Sequence, residues 1–219
     1  MHFVALGDSI TYGEGASQPR FAYPSVLARR LGAGLRGERV CGKVLAQPGW
    51  TSRDLSFAIL ENSAMPLRTS RAVIVWIGGD DLAQAALAAA GGPRVAMTLE
   101  RSLKLYGVFL RRTIAEVRAA TYAPMFVCTQ YNPFPNSAIA VEGVGLLNQT
   151  IASVAASAGA HVVPTADWFA GRQAELIAGY RTGRLRDVVY RPIPVHPNNL
   201  GHRVIADGLA GIVAPFVAR

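Results

Sequence analysis

The chain has 219 residues, 51% of them broadly hydrophobic and 16% charged, which suits one compact domain and excludes a disordered polypeptide. A domain of this size buries on the order of 70% of the surface its unfolded chain exposes, so its two cysteines are not needed as a disulfide framework. Lysine and arginine total 22 against 14 acidic residues, for a net charge of +8, which raises nucleic acid, anionic surfaces and acidic substrates as partners. Only Lys43 and Lys104 are lysines, however, and the arginines are scattered from Arg20 to Arg219 with no zinc finger, basic heptad or aromatic recognition motif. No nucleic-acid partner is therefore expected.

The amino terminus MHFVALGDSITYG has no basic region and no small-residue cleavage pattern, so it reads as a first strand. A cytoplasmic location is the expectation, although a secreted form that had shed a leader would have the same sequence. No run of 18 apolar residues occurs, and the alanine-rich stretch Leu82–Ala90 is short, so no membrane span is expected. Strands are expected at 2–6, 39–45, 72–77, 125–129 and 160–164, alternating with helices at about 22–34, 52–62, 95–121, 139–158 and 199–214. This β/α rhythm and the near-continuous apolar run AVIVWI at 72–77 predict a parallel sheet covered by helices on both faces. Leu99, Leu103, Tyr106, Leu110, Ile114 and Val117 form an apolar stripe that should lie against that sheet. No linker or repeat divides the chain, so residues 1–219 read as a single domain.

Glycine and proline clusters at 13–19, 46–49, 78–79, 91–93, 132–135 and 192–197 punctuate the elements, and several follow strands, where open α/β folds gather their ligand-binding loops. Gly7-Asp8-Ser9 closes the first strand and puts Ser9 at a tight strand-to-helix junction. By itself it could equally be a turn in which Asp8 caps backbone amides. It matches neither the G-x-S-x-G elbow nor a phosphate-binding glycine loop, which argues against an α/β-hydrolase lipase, an NTPase or a dinucleotide enzyme. Further signals are QPGW at 47–50, GGDDL at 78–82 and VHPNNLGH at 195–202. The four histidines, His2, His161, His196 and His202, have no zinc-ligand spacing, so neither metal nor other cofactor is expected. Cys41 and Cys128 read as two buried thiols.

Taken together, these blocks resemble the SGNH, or GDSL, hydrolases, compact serine esterases on a flavodoxin-like, doubly wound fold. The resemblance implies a three-layer α/β/α sandwich around a five-stranded parallel sheet. It also implies Ser9 as nucleophile, His196 as general base, and an oxyanion hole from the Ser9 and Gly49 amides. Two positions depart from the pattern. Asp80 stands where the family has an asparagine donor, and an ionised carboxylate would repel an oxyanion unless it were held protonated or turned away. Ile193 stands where the family has the acid that orients the histidine. Asp187 or Asp167 could replace that acid, or His196 could work in a dyad with Ser9. His202 reads as a structural histidine. Tyr12, Trp50, Tyr131 and Trp168 are candidate substrate contacts, against loop packing as the plainer reading.

The expected activity is metal-independent hydrolysis of short acyl esters, among them acetyl esters of a sugar or small alcohol. Arg181, Arg184, Arg186 and Arg191 upstream of His196 could receive an anionic ester, or could simply form a solvated loop. The contrasting reading, motivated by Asp80 and Ile193, is a weakly active or non-catalytic binding module on the same fold. An anionic-polymer binder is a third. Nothing in the sequence specifies an oligomeric state.

Overall fold

A computed structural model describes residues 1–34, 39–62, 66–89 and 95–217. Five strands form one sheet: β1 (His2–Gly7), β2 (Cys41–Ala46), β3 (Val73–Trp76), β4 (Met125–Cys128) and β5 (His161–Val163). All neighbours are parallel and the order is β2-β1-β3-β4-β5. Successive connections run to opposite sides of β1, so the sheet has a switch point between β1 and β3, where a crevice opens beyond the carboxyl ends of the strands. The helices are α1 (Ser9–Tyr12), α2 (Tyr23–Gly34), α3 (Ser52–Glu61), α4 (Gly79–Ala89), α5 (Val95–Ala120), α6 (Ala138–Ser157), α7 (Thr165–Phe169), α8 (Gln173–Leu176) and α9 (Asn199–Val217). The result is the three-layer, doubly wound α/β/α sandwich expected from the sequence.

The period-two alternation of strand side chains divides the core into two clusters. Phe3, Ala5, Ile74, Trp76, Phe126 and Cys128 face one side and pack with α2 and α9. Val4, Leu6, Val73, Val75, Met125 and Val127 face the other and pack with α3, α5 and α6. Both faces are dry, which is why the central strands read as unbroken apolar runs. On α5, Tyr106, Leu110, Ile114 and Val117 of the expected stripe are buried against the second cluster.

Two readings need correction. The residues of α4 form an eleven-residue helix that the sequence reading left unassigned, because its alanines give little amphipathic contrast. The Gly-Gly-Pro cluster at 91–93 that follows it lies outside the described residues. Cys41 is exposed, since β2 is an edge strand with much of its surface in solvent; only Cys128 is a buried thiol. Helices α6 and α9 are long and apolar enough by composition to cross a bilayer, but each buries one face in the sandwich, α6 through Leu147, Ile151 and Val154 and α9 through Ile205, Leu209 and Val213.

Gly7 ends β1 where the chain has no room for a side chain. A Cβ there would overlap the Trp76 carbonyl oxygen and Thr11 Oγ1. Overpacking of this kind typically costs about 1–3 kcal/mol, and here one of the colliding atoms is strand backbone. Gly7→Ala should therefore lower the chemical-denaturation midpoint by an amount equivalent to about 2–3 kcal/mol, with the slope unchanged.

Candidate active site

The turn out of β1 is organised by Asp8, which caps α1 by accepting from the Ile10 amide at 3.0 Å. Asp8 is buried, and its Oδ2 and Gln130 Oε1 each come within 3.9 Å of the space a side chain at Gly79 would take. Gln130 Oε1 is fixed in that orientation by the Trp76 indole, which donates to it at 2.8 Å. Burial is the main cause that pushes the Asp8 carboxyl up to about 8; the Ile10 amide opposes it, and the charges of Asp80 and Asp81 add to the rise. Asp8 is thus largely protonated at neutral pH.

Ser9 begins α1, so its amide lies outside the helical ladder. Its hydroxyl is in hydrogen-bond contact with His196, Oγ to Nε2, at 3.1 Å across 187 residues of sequence. Among the described residues, the Gly49 amide has no hydrogen-bond partner, whereas the next amide, of Trp50, donates to the Gln47 carbonyl. Asp80 opens α4 after Gly78, whose φ of 127° and contact with the Tyr106 ring both require glycine. Burial first, then the charges of Asp81, Glu14 and Asp54, raise the Asp80 carboxyl to about 6. Asp81 is engaged elsewhere, accepting from the Ser52 amide at 2.8 Å and the Ser52 hydroxyl at 2.6 Å.

Neither acid suggested as a partner for His196 reaches it. Both carboxylate oxygens of Asp187 accept from Thr182, and the Arg184 amide donates to Oδ2. Burial raises the Asp187 carboxyl, but these hydrogen bonds together outweigh it and leave the group below its ordinary range. Asp167 is exposed on α7 and makes no side-chain hydrogen bond to a described residue. The carboxylate that does approach His196 is Glu14, with Oε2 at 3.1 Å from Nε2. Sequence reasoning missed it. Glu14 lies inside the GDSITYGEG block, five residues after Ser9, where one turn of helix and a reversal bring it back beside the serine. Burial holds His196 below the ordinary imidazole value, and the Glu14 charge acts in the opposite sense.

His202 is buried, and its ring accepts from the Tyr23 amide at Nδ1 (3.3 Å) and donates from Nε2 to the Glu14 carbonyl (2.9 Å). Burial, the leading cause, depresses it to about 4, so it stays neutral. Of the aromatic candidates, Tyr12 is 61% exposed on α1. Trp50 is half-buried against the second core cluster. Tyr131 is a correction: it is 4% exposed, stacks on Phe169 and donates its hydroxyl to the Val195 carbonyl at 2.6 Å. Trp168 likewise packs its indole over Gly208 of α9. Both act as packing groups. The arginine-rich loop is partly engaged with itself, with Arg181 over the Tyr190 ring at 3.8 Å and Arg191 donating to the Val188 and Tyr190 carbonyls. Among the described residues no three His, Cys, Asp or Glu side chains converge as a metal-binding set. A groove of about 590 Å³ between α5 and α6 contains neither Ser9 nor His196.

A five-stranded parallel sheet of this order, with a serine and a histidine meeting at its carboxyl edge, defines an α/β/α hydrolase of the SGNH kind. The sequence from residue 5 to 204 matches the model of the GDSL-like lipase/acylhydrolase family, and the chain belongs to that family. Among solved structures it is similar to the lipase Lip_vut3 from a goat rumen metagenome, at 20% identity and TM-score 0.77 over 99% of this chain and 98% of that one. The acetyl xylan esterase AlAXEase is 14% identical, with TM-score 0.71 over 97% and 100% of the two chains. Axe2, an acetylxylan esterase from Geobacillus stearothermophilus, is 18% identical, with TM-score 0.70 over 97% and 93%. No curated protein sequence matches the chain.

The raised Asp8 carboxyl gives stability a pH dependence of definite sign. The folded chain holds a proton that the unfolded chain releases above its ordinary value of 3.8, so this group's contribution falls as pH rises from there toward about 8. Asp8→Asn keeps the capping acceptor and removes the titration. The difference in melting temperature between Asp8→Asn and wild type should grow in favour of the variant from about pH 4 to pH 8, reaching the equivalent of a few kcal/mol.

Proposed function

We propose that the protein is a metal-independent serine ester hydrolase that acts on short acyl esters, with Ser9 as nucleophile and His196 as general base. The observation that carries this reading is the 3.1 Å contact between Ser9 Oγ and His196 Nε2, the geometry a base needs to take the serine proton. Ser9 Oγ attacks the ester carbonyl carbon as its proton passes to Nε2. The carbonyl oxygen becomes an oxyanion facing the Ser9 and Gly49 amides. The imidazolium then returns the proton to the departing alcohol, leaving an acyl-serine that water cleaves by the same steps in reverse order. The contact also favours an enzyme over a binding module, which would have no use for a serine and a histidine held this close.

The likeness to solved esterases supports a substrate class within this reading. Acetylated carbohydrate is the preferred substrate, since AlAXEase and Axe2 are acetyl xylan and acetylxylan esterases and serine-to-alanine and histidine-to-alanine variants of Axe2 are described as catalytic mutants. Asp80 takes the place of the third oxyanion donor when it carries a proton, which its value of about 6 makes available in mildly acidic solution. Burial lowers His196 from its ordinary value, which favours the neutral ring that a base requires.

A fluorophosphonate should add once to the wild-type chain and not to Ser9→Ala, read by intact mass; a wild type that neither takes the label nor cleaves short p-nitrophenyl esters would sink the esterase reading. Asp80→Asn should raise kcat/KM on p-nitrophenyl acetate roughly tenfold at pH 7, with the advantage shrinking toward unity near pH 5, because the wild type gains its donor only by protonation. An advantage that is the same at both pH values would count against a protonated Asp80.

A further inference from the structure

The base of the proposed reaction has an unusual electrostatic surround. His196 makes no hydrogen bond through Nδ1 to any described residue, and the residue three before it in sequence, where the resemblance implies an acid, is Ile193. The carboxylate at hand is on the other side, at Nε2, and it comes from the segment that carries the serine. We propose that Glu14 is the acid of this site, a positioning residue that stabilises the His196 imidazolium from the Nε2 side, in place of an acid upstream of the histidine. This rests on the esterase reading above and assigns the group that makes its base effective.

The placement of Glu14 is built into the fold. The Gly13 and Glu14 amides both donate to the Ser9 carbonyl, at 3.0 and 2.9 Å, so the chain turns back on itself directly after α1. The Glu14 carbonyl is held by the buried ring of His202. Gly15 has φ of 84°, and a Cβ there would overlap the Pro197 carbonyl oxygen, so this residue lies flat against the chain just past His196. Two residues on, the Ser17 amide donates to Asn199 Oδ1 at 2.9 Å and Asn199 Nδ2 donates to Ser17 Oγ at 2.8 Å. Glu14 is therefore clamped on both sides to the segment that bears His196, while its side chain remains 39% exposed.

The chemistry of that position follows from which nitrogen is involved. Before the attack, Nε2 must offer a lone pair to the serine proton, and the ring proton sits on Nδ1. As the Ser9 Oγ to carbon bond forms, the proton moves from Oγ to Nε2 and the ring becomes cationic. Nε2 lies 3.1 Å from a Glu14 carboxylate oxygen, so the new positive charge has a negative group beside it as soon as it exists. Glu14 thus acts on the charged form, the one that develops in the transition state. Three other groups face this pair: Ser9 from α1, the Asp80 carboxyl from α4, which feels the charge of Glu14, and His202 from α9, whose ring stays neutral and so adds little repulsion.

The test is a titration of the His196 ring by NMR in the full chain, in wild type, Glu14→Gln and Glu14→Asp, with the resonance assigned through His196→Asn. Glu14→Gln should lower the proton affinity of His196 about tenfold, and Glu14→Asp, which keeps the charge, should restore much of it. In an Asp80→Asn background, which removes the second titration, Glu14→Gln should lower the plateau of kcat/KM about tenfold and move its acid limb to lower pH. Equal melting temperatures would show that the fold is kept. An unmoved His196 titration, a lower plateau with an unmoved limb, or a plateau that rises would each overturn the role of Glu14. Failure of Ser9 labelling in the wild type is a separate result, which overturns the esterase reading whatever the titration shows.

Discussion

The neutral ring of His202 is the contact on which the site depends. Ser9 and His196 lie near opposite ends of the chain, and their encounter requires the segment after α1 to be fastened to the segment that opens α9. His202 does this with both nitrogens, accepting from the Tyr23 amide and donating to the Glu14 carbonyl. A protonated ring would lose the acceptor at Nδ1, so the same burial that keeps the ring uncharged also keeps the clamp intact. The pair Ser17 and Asn199 repeats the fastening nearer the surface. Each link is a modest hydrogen bond of about 1 kcal/mol, yet the group they hold must stay within a few tenths of an ångström of the serine.

The second organising feature is a set of carboxyl groups in a chain of net positive charge. Asp8, Asp80 and Asp81 lie around the switch point between β1 and β3, and all three are raised chiefly by burial, with neighbouring carboxylates adding to the effect: Asp80 and Asp81 on Asp8, Asp81, Glu14 and Asp54 on Asp80, and Asp54 on Asp81. Asp8 is the deepest and behaves as a neutral cap. Asp81 is tied to Ser52 and anchors the start of α4 to the start of α3. Asp80 is the least constrained, with no side-chain hydrogen bond to a described residue, and is raised to about 6. Carboxyl groups set so close cannot all be charged without cost, and the fold responds by keeping some of them protonated.

Much of this was legible in the sequence, for reasons that differ between elements. The central strands announced themselves because two dry faces demand apolar residues at every position. The histidine and serine blocks were legible because their loops need specific turn chemistry. What escaped notice was of two kinds. The α4 helix has alanine on most of its faces, so no periodicity marks it, and its start is signalled only by Gly78-Gly79. Glu14 is a matter of tertiary placement: an exposed acid after a short helix looks like any solvated residue until His202 and Gly15 are seen to pin it. Conversely, Tyr131 sat in a loop that promised substrate contact, but stacking on Phe169 and the hydroxyl bond to Val195 draw it into the core. The acids Asp187 and Asp167 were nearer to His196 in sequence than Glu14 is, and separation along the chain proved a poor guide to distance in space.

That the serine and its histidine are 187 residues apart has a consequence for the life of the chain before it is complete. As the polypeptide leaves the ribosome, Ser9 emerges well before the segment from His196 to His202. While the intervening residues are being made, the hydroxyl has no base beside it and the loop bearing Glu14 has no clamp. Reactivity is thereby tied to the synthesis of the segment that opens α9: a chain released short of it would carry the serine and lack what activates it.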